Sequence, residues 1–101
     1  MKEITPKELE EKMEKGEVLH LIDVREDDEV ANGMIPGAKH IPMNQIPEYM
    51  DKLDKDKEYI FICRSGGRSG HVCQFLEANG YKAINMVGGM LEWNGDIVSG
   101  K

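Results

Sequence analysis

Cysteine is scarce in this sequence, and long apolar runs are missing. The 101 residues contain only Cys63 and Cys73, with no Cys-x-x-Cys pair and no Cys/His cluster at metal-binding spacing. This pattern argues against a disulfide framework or a zinc site and is typical of a reducing compartment. The apolar runs have about the length of a strand, far below the roughly 20 residues of a membrane helix. The N-terminus shows no secretory signal, so we expect a cytoplasmic protein with no membrane partner.

Basic residues are also in short supply. Lysine and arginine total 13 against 19 aspartate and glutamate residues, which gives a formal net charge of −6. A nucleic-acid surface normally needs a basic patch, so we expect no nucleic-acid partner. With 101 residues, 40% of them hydrophobic, and no linker or repeat, the sequence predicts a single domain over residues 1–101.

One stretch concentrates the chemistry. Residues 59–62 (Tyr-Ile-Phe-Ile) predict a buried strand that leads directly into Cys63. Two glycines and two arginines follow within five residues. An amphipathic segment, residues 70–79, then predicts a helix that ends at Gly80. Its apolar face is predicted from the spacing of Val72, Phe75 and Leu76. The thiol is thus expected in a tight loop that opens onto a helix N-terminus.

Such a loop favours a reactive thiolate. The pKa of a free cysteine, about 8.5, falls near a helix N-terminus or near arginine side chains. Gly66 and Gly67 allow successive backbone N–H groups to converge on an anion, and Arg64 and Arg68 have planar forks suited to oxyanions. We therefore expect Cys63 to attack an anionic substrate and form a covalent intermediate. The alternative is a buried cysteine at a strand end followed by an ordinary glycine turn.

The loop Cys-Arg-Ser-Gly-Gly-Arg-Ser, residues 63–69, resembles the active-site loop of rhodanese-type sulfurtransferases. The resemblance continues in the family's order through Leu-Ile-Asp-Val-Arg (21–25), Ile-Pro-Gly-Ala (35–38), His-Ile-Pro (40–42), Val-Gly-Gly (87–89) and Trp93. It covers nearly the whole chain. Met34 departs from the family, which often has histidine there. The resemblance implies a three-layer α/β/α fold with a mainly parallel five-stranded sheet, and it places the strand before Cys63 near the middle.

The same resemblance implies an activity. Cys63 would take a sulfane sulfur from thiosulfate or a persulfide donor and pass it, as a persulfide, to a thiol, cyanide or protein acceptor. No cofactor is implied. The residues implied to bind the anionic donor and stabilise the persulfide are Arg64, Ser65, Gly66, Gly67, Arg68 and Ser69.

Two alternatives stay open. Cysteine phosphatases and arsenate reductases separate their cysteine and arginine by five residues, commonly with histidine before the cysteine. Here four residues separate Cys63 from Arg68, Ile62 precedes the cysteine, and Ser69 occupies the phosphatase arginine's position. That class is therefore disfavoured. The other alternative is a persulfide carrier or regulatory module that acts with a partner protein and has little turnover of its own.

The remaining chain predicts structural elements. Thr5, Pro6 and Glu8 form a capping-box pattern for a first helix. Residues 18–22 predict a strand that Asp23 closes. Asp23 and Arg25 could be catalytic or could form an ion pair that fixes the loop, and the family resemblance favours the ion pair. The acidic residues 26–29 predict the first turn of a short helix with a solvated face.

Residues 83–87 predict the last strand, and a short terminal helix follows it. Trp93 is expected to anchor the core. Cys73 is expected in the core and not as a resolving thiol. Strands that alternate with helices indicate a mainly parallel sheet with helices on both faces, and ligands bind such sheets at the carboxyl ends of the strands.

Overall fold

A computed structural model describes residues 1–100, which form one parallel sheet flanked by helices. The strands are β1 (Lys2–Ile4), β2 (Leu21–Asp23), β3 (Lys39–His40), β4 (Glu58–Ile62) and β5 (Lys82–Met86). The α-helices are α1 (Pro6–Glu14), α2 (Asp27–Ala31), α3 (Ile46–Tyr49) and α4 (Gly67–Ala78). Short 3₁₀ segments cover Met43–Gln45, Met50–Lys52 and Gly89–Glu92.

The sheet has the strand order β1-β5-β4-β2-β3, and every pair is parallel. The central strand, β4, pairs with β2 through Asp23 opposite Ile62 and with β5 through Asn85 opposite Phe61. Parallel strands end at one edge of a sheet, so Cys63, the residue after β4, lies beside the ends of β2 and β5. The predicted five-stranded α/β fold and the central position of the strand before Cys63 are confirmed.

The core is split by the sheet into two clusters because side chains alternate along each strand. Phe61 and Cys63 face one cluster, which α4 closes with Val72 and Leu76. Ile60 and Ile62 face the other, which contains Leu9 of α1. Trp93 packs against this second cluster, as predicted. The sheet therefore lies between two helical layers.

Local sequence signals determine where the first helix, α1, begins. The Thr5 hydroxyl accepts the Glu8 N–H at 3.1 Å, and the Glu8 carboxylate accepts the Thr5 N–H at 2.9 Å. This reciprocal pair is the predicted capping box, with Pro6 in the first turn.

Several predicted boundaries and one predicted face differ in the structure. The strands predicted over residues 59–62 and 83–87 cover Glu58–Ile62 and Lys82–Met86. Val18 is 87% exposed and β2 begins only at Leu21, so the predicted strand is too long at its start. Helix α4 begins at Gly67, three residues before the predicted start. Phe75 is 39% exposed, because Ser69, Cys73 and Leu76 define the buried side of α4 and Phe75 lies to one side of them. The spacing of Val72, Phe75 and Leu76 therefore predicted the buried face of α4 only in part.

The longest helix in the described part of the chain, α4, has 12 residues. No helix within residues 1–100 combines the length and the apolar character that crossing a membrane requires.

Candidate active site

Cys63 lies at the carboxyl end of β4, beneath the loop of residues 63–69, which we call the Cys63 loop. The residue is fully buried. Its Sγ accepts the backbone N–H of Gly66 at 3.0 Å and lies 3.2 Å from the Ser69 hydroxyl oxygen. Arg64, Ser65 and Gly67 are exposed at the surface of the loop.

Gly66 is required by both conformation and space. Its φ of 98° lies in the left-handed region, which residues with a Cβ rarely adopt, and it caps the start of α4. A Cβ at this position would also lie 3.2 Å from the backbone nitrogen of Gly88 and 3.4 Å from the Cα of Val87. The Cys63 loop therefore packs its backbone directly against the chain that leaves β5.

The turn after β5 supports the loop from below. The N–H of Met90 donates to the carbonyl of Cys63 at 2.9 Å, and the N–H of Leu91 donates to the carbonyl of Arg64 at 3.0 Å. Gly89 makes this approach possible, since a Cβ there would lie 2.5 Å from the Cys63 carbonyl oxygen. With these two carbonyls held by the 3₁₀ segment, N–H groups of the loop are left to face the sulfur.

The two cysteines have opposite acid–base character. Burial raises the pKa of Cys63, but the Ser69 hydroxyl and the backbone N–H groups of Ser69, Gly66 and Ser65 outweigh it, so the pKa falls below the ordinary value. Burial raises the pKa of Cys73 to about 12. Cys73 lies fully buried in the first core cluster, as predicted. Only Cys63 has an environment that favours a thiolate.

The two loop arginines have different surroundings. Arg68 forms a two-pronged ion pair with Glu29 of α2, with nitrogen–oxygen distances of 2.7 and 2.8 Å. The hydrogen bonds from Arg68 are the main reason that the pKa of Glu29 falls to about 2. Within residues 1–100, the Arg64 side chain has no hydrogen bond or ion pair. The expectation of a solvated acidic face on α2 is therefore wrong at Glu29, which binds a residue of the loop.

A buried ion pair positions α2 for this contact. Asp23 accepts from the Arg25 side chain at 2.9–3.1 Å, and both residues are nearly or fully buried. The Arg25 guanidinium also donates to the carbonyl of Gly33, just after α2, at 2.7 Å. The predicted Asp23–Arg25 pair is confirmed, and it fixes the helix that carries Glu29.

Asn85 is a site residue that the sequence analysis missed. It lies in β5, is 4% exposed, and donates through Nδ2 to the Gly66 carbonyl at 3.1 Å. Its Oδ1 lies 2.5 Å from the Ser69 hydroxyl oxygen. The available signal was an asparagine within the otherwise apolar residues 83–87, because a buried polar side chain needs a partner. That partner is the Cys63 loop.

The arrangement is suited to an anionic sulfur nucleophile. In the described residues, no group of three or more His, Cys, Asp or Glu side chains could hold a metal ion. The loop instead combines an ionisable thiol, converging N–H groups and the N-terminus of a 12-residue helix. Such a cradle stabilises negative charge on Sγ or on an atom attached to it.

Fold and loop together define a parallel α/β domain whose anion-binding loop is built around a cysteine. The sequence profile of the Rhodanese-like domain matches residues 5–96. The chain therefore belongs to the rhodanese-like domain family.

Individual relatives agree with this assignment. The Bacillus subtilis protein "Putative sulfurtransferase YtwF" is 59% identical over 96 residues, which cover 95% of this chain and 93% of that protein. Thiosulfate sulfurtransferase GlpE of Coxiella burnetii is 32% identical over 93 residues, covering 91% and 86%. A crystal structure of a rhodanese-like domain protein from Staphylococcus aureus is 40% identical, covers 100% of both chains and has a TM-score of 0.93. By these similarities the chain is of the sulfurtransferase type.

Proposed function

We propose that this protein transfers a sulfane sulfur through a persulfide formed on Cys63. The observation that carries the proposal is the environment of Sγ, which receives the Gly66 N–H at 3.0 Å and lies 3.2 Å from the Ser69 hydroxyl oxygen. These donors favour the thiolate, which is the nucleophilic form of cysteine. The matched relative named a thiosulfate sulfurtransferase supports thiosulfate as the first donor to test.

The reaction consists of two displacements at sulfur. The Cys63 thiolate attacks the sulfane sulfur of thiosulfate, a new S–S bond forms at Sγ, and sulfite leaves with the electron pair of the old S–S bond. An acceptor thiolate or cyanide then attacks the outer sulfur of the persulfide. The Cys63 thiolate leaves with the electron pair of that bond, so the enzyme returns to its starting form. No external oxidant or reductant is needed.

The Cys63 loop would stabilise negative charge in both steps. After the first displacement, the charge moves to the outer sulfur, which would lie among the backbone N–H groups of Ser65, Gly66, Gly67, Arg68 and Ser69. Converging N–H groups stabilise such an anion without rearrangement.

The two arginines would contribute unequally to donor binding. Arg64 is exposed and unpaired within residues 1–100, so its guanidinium is free to bind the sulfonate oxygens of thiosulfate. Arg68 has both terminal nitrogens on Glu29, so most of its charge is already neutralised. We therefore assign the larger role in donor binding to Arg64.

The test is the intact mass of the full chain after incubation with thiosulfate and then with cyanide. We expect a gain of one sulfur atom in the wild type, with release of sulfite, followed by loss of that sulfur as thiocyanate. The Cys63→Ser variant should show neither change. The Cys73→Ser variant is the matched control, since it removes the other thiol, and it should behave like the wild type.

Other outcomes separate the alternatives. A stable persulfide that cyanide and small thiols remove only slowly would favour a carrier that delivers sulfur to a protein acceptor. A folded protein with an ionisable Cys63 that gains no sulfur from thiosulfate or a persulfide donor would contradict the proposal. Hydrolysis of an aryl phosphate that depends on Cys63 would favour the phosphatase class instead.

A further inference from the structure

The Ser69 hydroxyl lies between two partners. Its oxygen is 3.2 Å from Cys63 Sγ and 2.5 Å from Asn85 Oδ1. A serine hydroxyl has one proton, so it can donate to only one of these atoms at a time. Ser69 is fully buried, and therefore no solvent contact offers the hydroxyl another arrangement. The hydroxyl proton can therefore stabilise negative charge on Sγ or form the hydrogen bond to Asn85, but it cannot do both at once.

The orientation of the Asn85 amide follows from its other contact. Nδ2 donates to the Gly66 carbonyl at 3.1 Å, and that carbonyl also accepts the N–H of Gly70 at 3.1 Å. Two acceptor oxygens repel each other at this distance, so the NH₂ end of Asn85 faces the Gly66 carbonyl and its oxygen faces Ser69. Since an amide oxygen can only accept, the short contact with Ser69 requires that the serine donates.

Two states of the network follow. When Cys63 carries its proton, the Ser69 hydroxyl donates to Asn85 Oδ1 and its oxygen can accept the thiol S–H. When Cys63 is a thiolate, the hydroxyl turns to Sγ, and the buried Oδ1 loses its donor. A buried acceptor without a donor is costly, so the Asn85 oxygen opposes the ionisation that Ser69 assists.

We propose that Asn85 is a positioning residue that competes with Cys63 Sγ for the Ser69 proton. Once Sγ is neutral, the Ser69 hydroxyl again donates to the Asn85 oxygen. The second half rests on the proposed function: in a persulfide the charge lies on the outer sulfur, and Sγ no longer needs the proton. Asn85 would thereby bind Ser69 when Cys63 is protonated or carries sulfur, and release it when the thiolate forms.

The expected effect is measurable as a change in the pKa of Cys63. One net hydrogen bond corresponds to about half to one pKa unit. Truncating Asn85 removes the acceptor that competes for the Ser69 proton, and this favours the thiolate. The same truncation removes the hydrogen bond to the Gly66 carbonyl, and this loss disfavours the thiolate. Only the first effect passes through Ser69. The groups that interact electrostatically with Cys63 include Arg68, whose guanidinium remains in place in every variant described below.

The experiment is a double-mutant cycle in the full chain. Asn85→Ala is introduced with Ser69 present and with Ser69→Ala, all in a Cys73→Ser background so that only Cys63 titrates. The pKa is obtained from thiolate absorbance and from the pH dependence of alkylation by iodoacetamide. We expect Asn85→Ala to lower the pKa, relative to its effect in the Ser69→Ala background, by about half to one unit.

The result that would overturn the proposal is an equal effect of Asn85→Ala in both backgrounds, or a coupling of opposite sign. Either would make Asn85 a purely structural support for the loop. If Asn85→Ala does not fold, Asn85→Asp provides the same cycle with the sign reversed, because a carboxylate holds the Ser69 proton more strongly than an amide. The titration needs no sulfur donor, so it remains decisive even if no persulfide forms.

Discussion

Replacing Glu29 with glutamine removes the negative charge from the ion pair between α2 and the Cys63 loop. Glutamine preserves the shape of the side chain, and its amide oxygen can still accept the Glu26 N–H that Glu29 accepts at 3.0 Å. The substitution therefore removes the charge and one of the two acceptors of the Arg68 guanidinium, because the NH₂ group of glutamine cannot accept a hydrogen bond. We expect the variant to fold but to be less stable at neutral pH.

The magnitude follows from the acid–base behaviour of Glu29. The hydrogen bonds from Arg68 lower the pKa of Glu29 from 4.5 to about 2. Without screening, a difference of this size corresponds to about 3 kcal/mol. The side chains of Glu29 and Arg68 are 24% and 32% exposed. Solvent screens a pair so placed, and we therefore expect a loss of about 1 kcal/mol.

The pH dependence gives the sharper test. A carboxyl whose pKa is lower in the folded protein stabilises the fold above its unfolded pKa and loses that effect as the pH falls through the folded value. The stability difference between wild type and Glu29→Gln should therefore be constant above about pH 5, decrease as the pH falls toward 2, and vanish only below it. Urea unfolding across this range measures it. Asp28→Asn, an exposed acid on the same helix, is the control and should change stability by less than about 0.5 kcal/mol.

The reasoning is refuted if Glu29→Gln and Asp28→Asn have the same effect at neutral pH, or if the difference persists unchanged near the acid limit. High salt provides a further check. Because the pair is partly exposed, about 1 M salt should reduce the difference substantially.

Two further predictions concern the thiols and the free arginine. At about pH 8, iodoacetamide should alkylate Cys63 far faster than Cys73, because hydrogen-bond donors lower the pKa of Cys63 while burial raises that of Cys73 to about 12. Peptide mass mapping measures the labelling of each cysteine. Equal labelling of both in the folded protein would contradict the prediction. Arg64→Ala should raise the KM for thiosulfate by about tenfold, through loss of a charged hydrogen bond, with a smaller effect from Arg68→Ala. The opposite ranking in steady-state kinetics would contradict the larger role assigned to Arg64.

Much of the fold is local in origin and could therefore be predicted. The capping box at Thr5 and Glu8 depends on residues three positions apart, and the strand before Cys63 is marked by its own apolar residues. The Asp23–Arg25 pair is likewise separated by only two positions. Such local signals can be recognised in the sequence without knowledge of the fold. The errors occurred at edges, as at Val18 and Phe75, where the packing of neighbouring elements decides what is exposed.

The acidic segment of α2 shows why the rest of the site could not be predicted. Charges in the first turn of a helix are usually solvated, and three of the four acidic residues in positions 26–29 are indeed exposed. Glu29 differs only because α2 lies beside the loop, which brings it to Arg68, 39 positions along the chain. No spacing rule in the sequence connects these two residues.

The sequence by itself determined that Cys63 lies in a glycine- and arginine-rich loop between a buried strand and a helix, and it was enough to predict the Cys63 sulfur as the nucleophile. Only the tertiary structure decided how that atom is held. The Asn85 amide, the Met90 N–H and the Glu29 carboxylate come from three separate elements, and each contacts the loop across the carboxyl edge of the sheet. The physical reason is that parallel strands bring distant segments to one edge, where hydrogen bonds form between residues that are far apart in sequence.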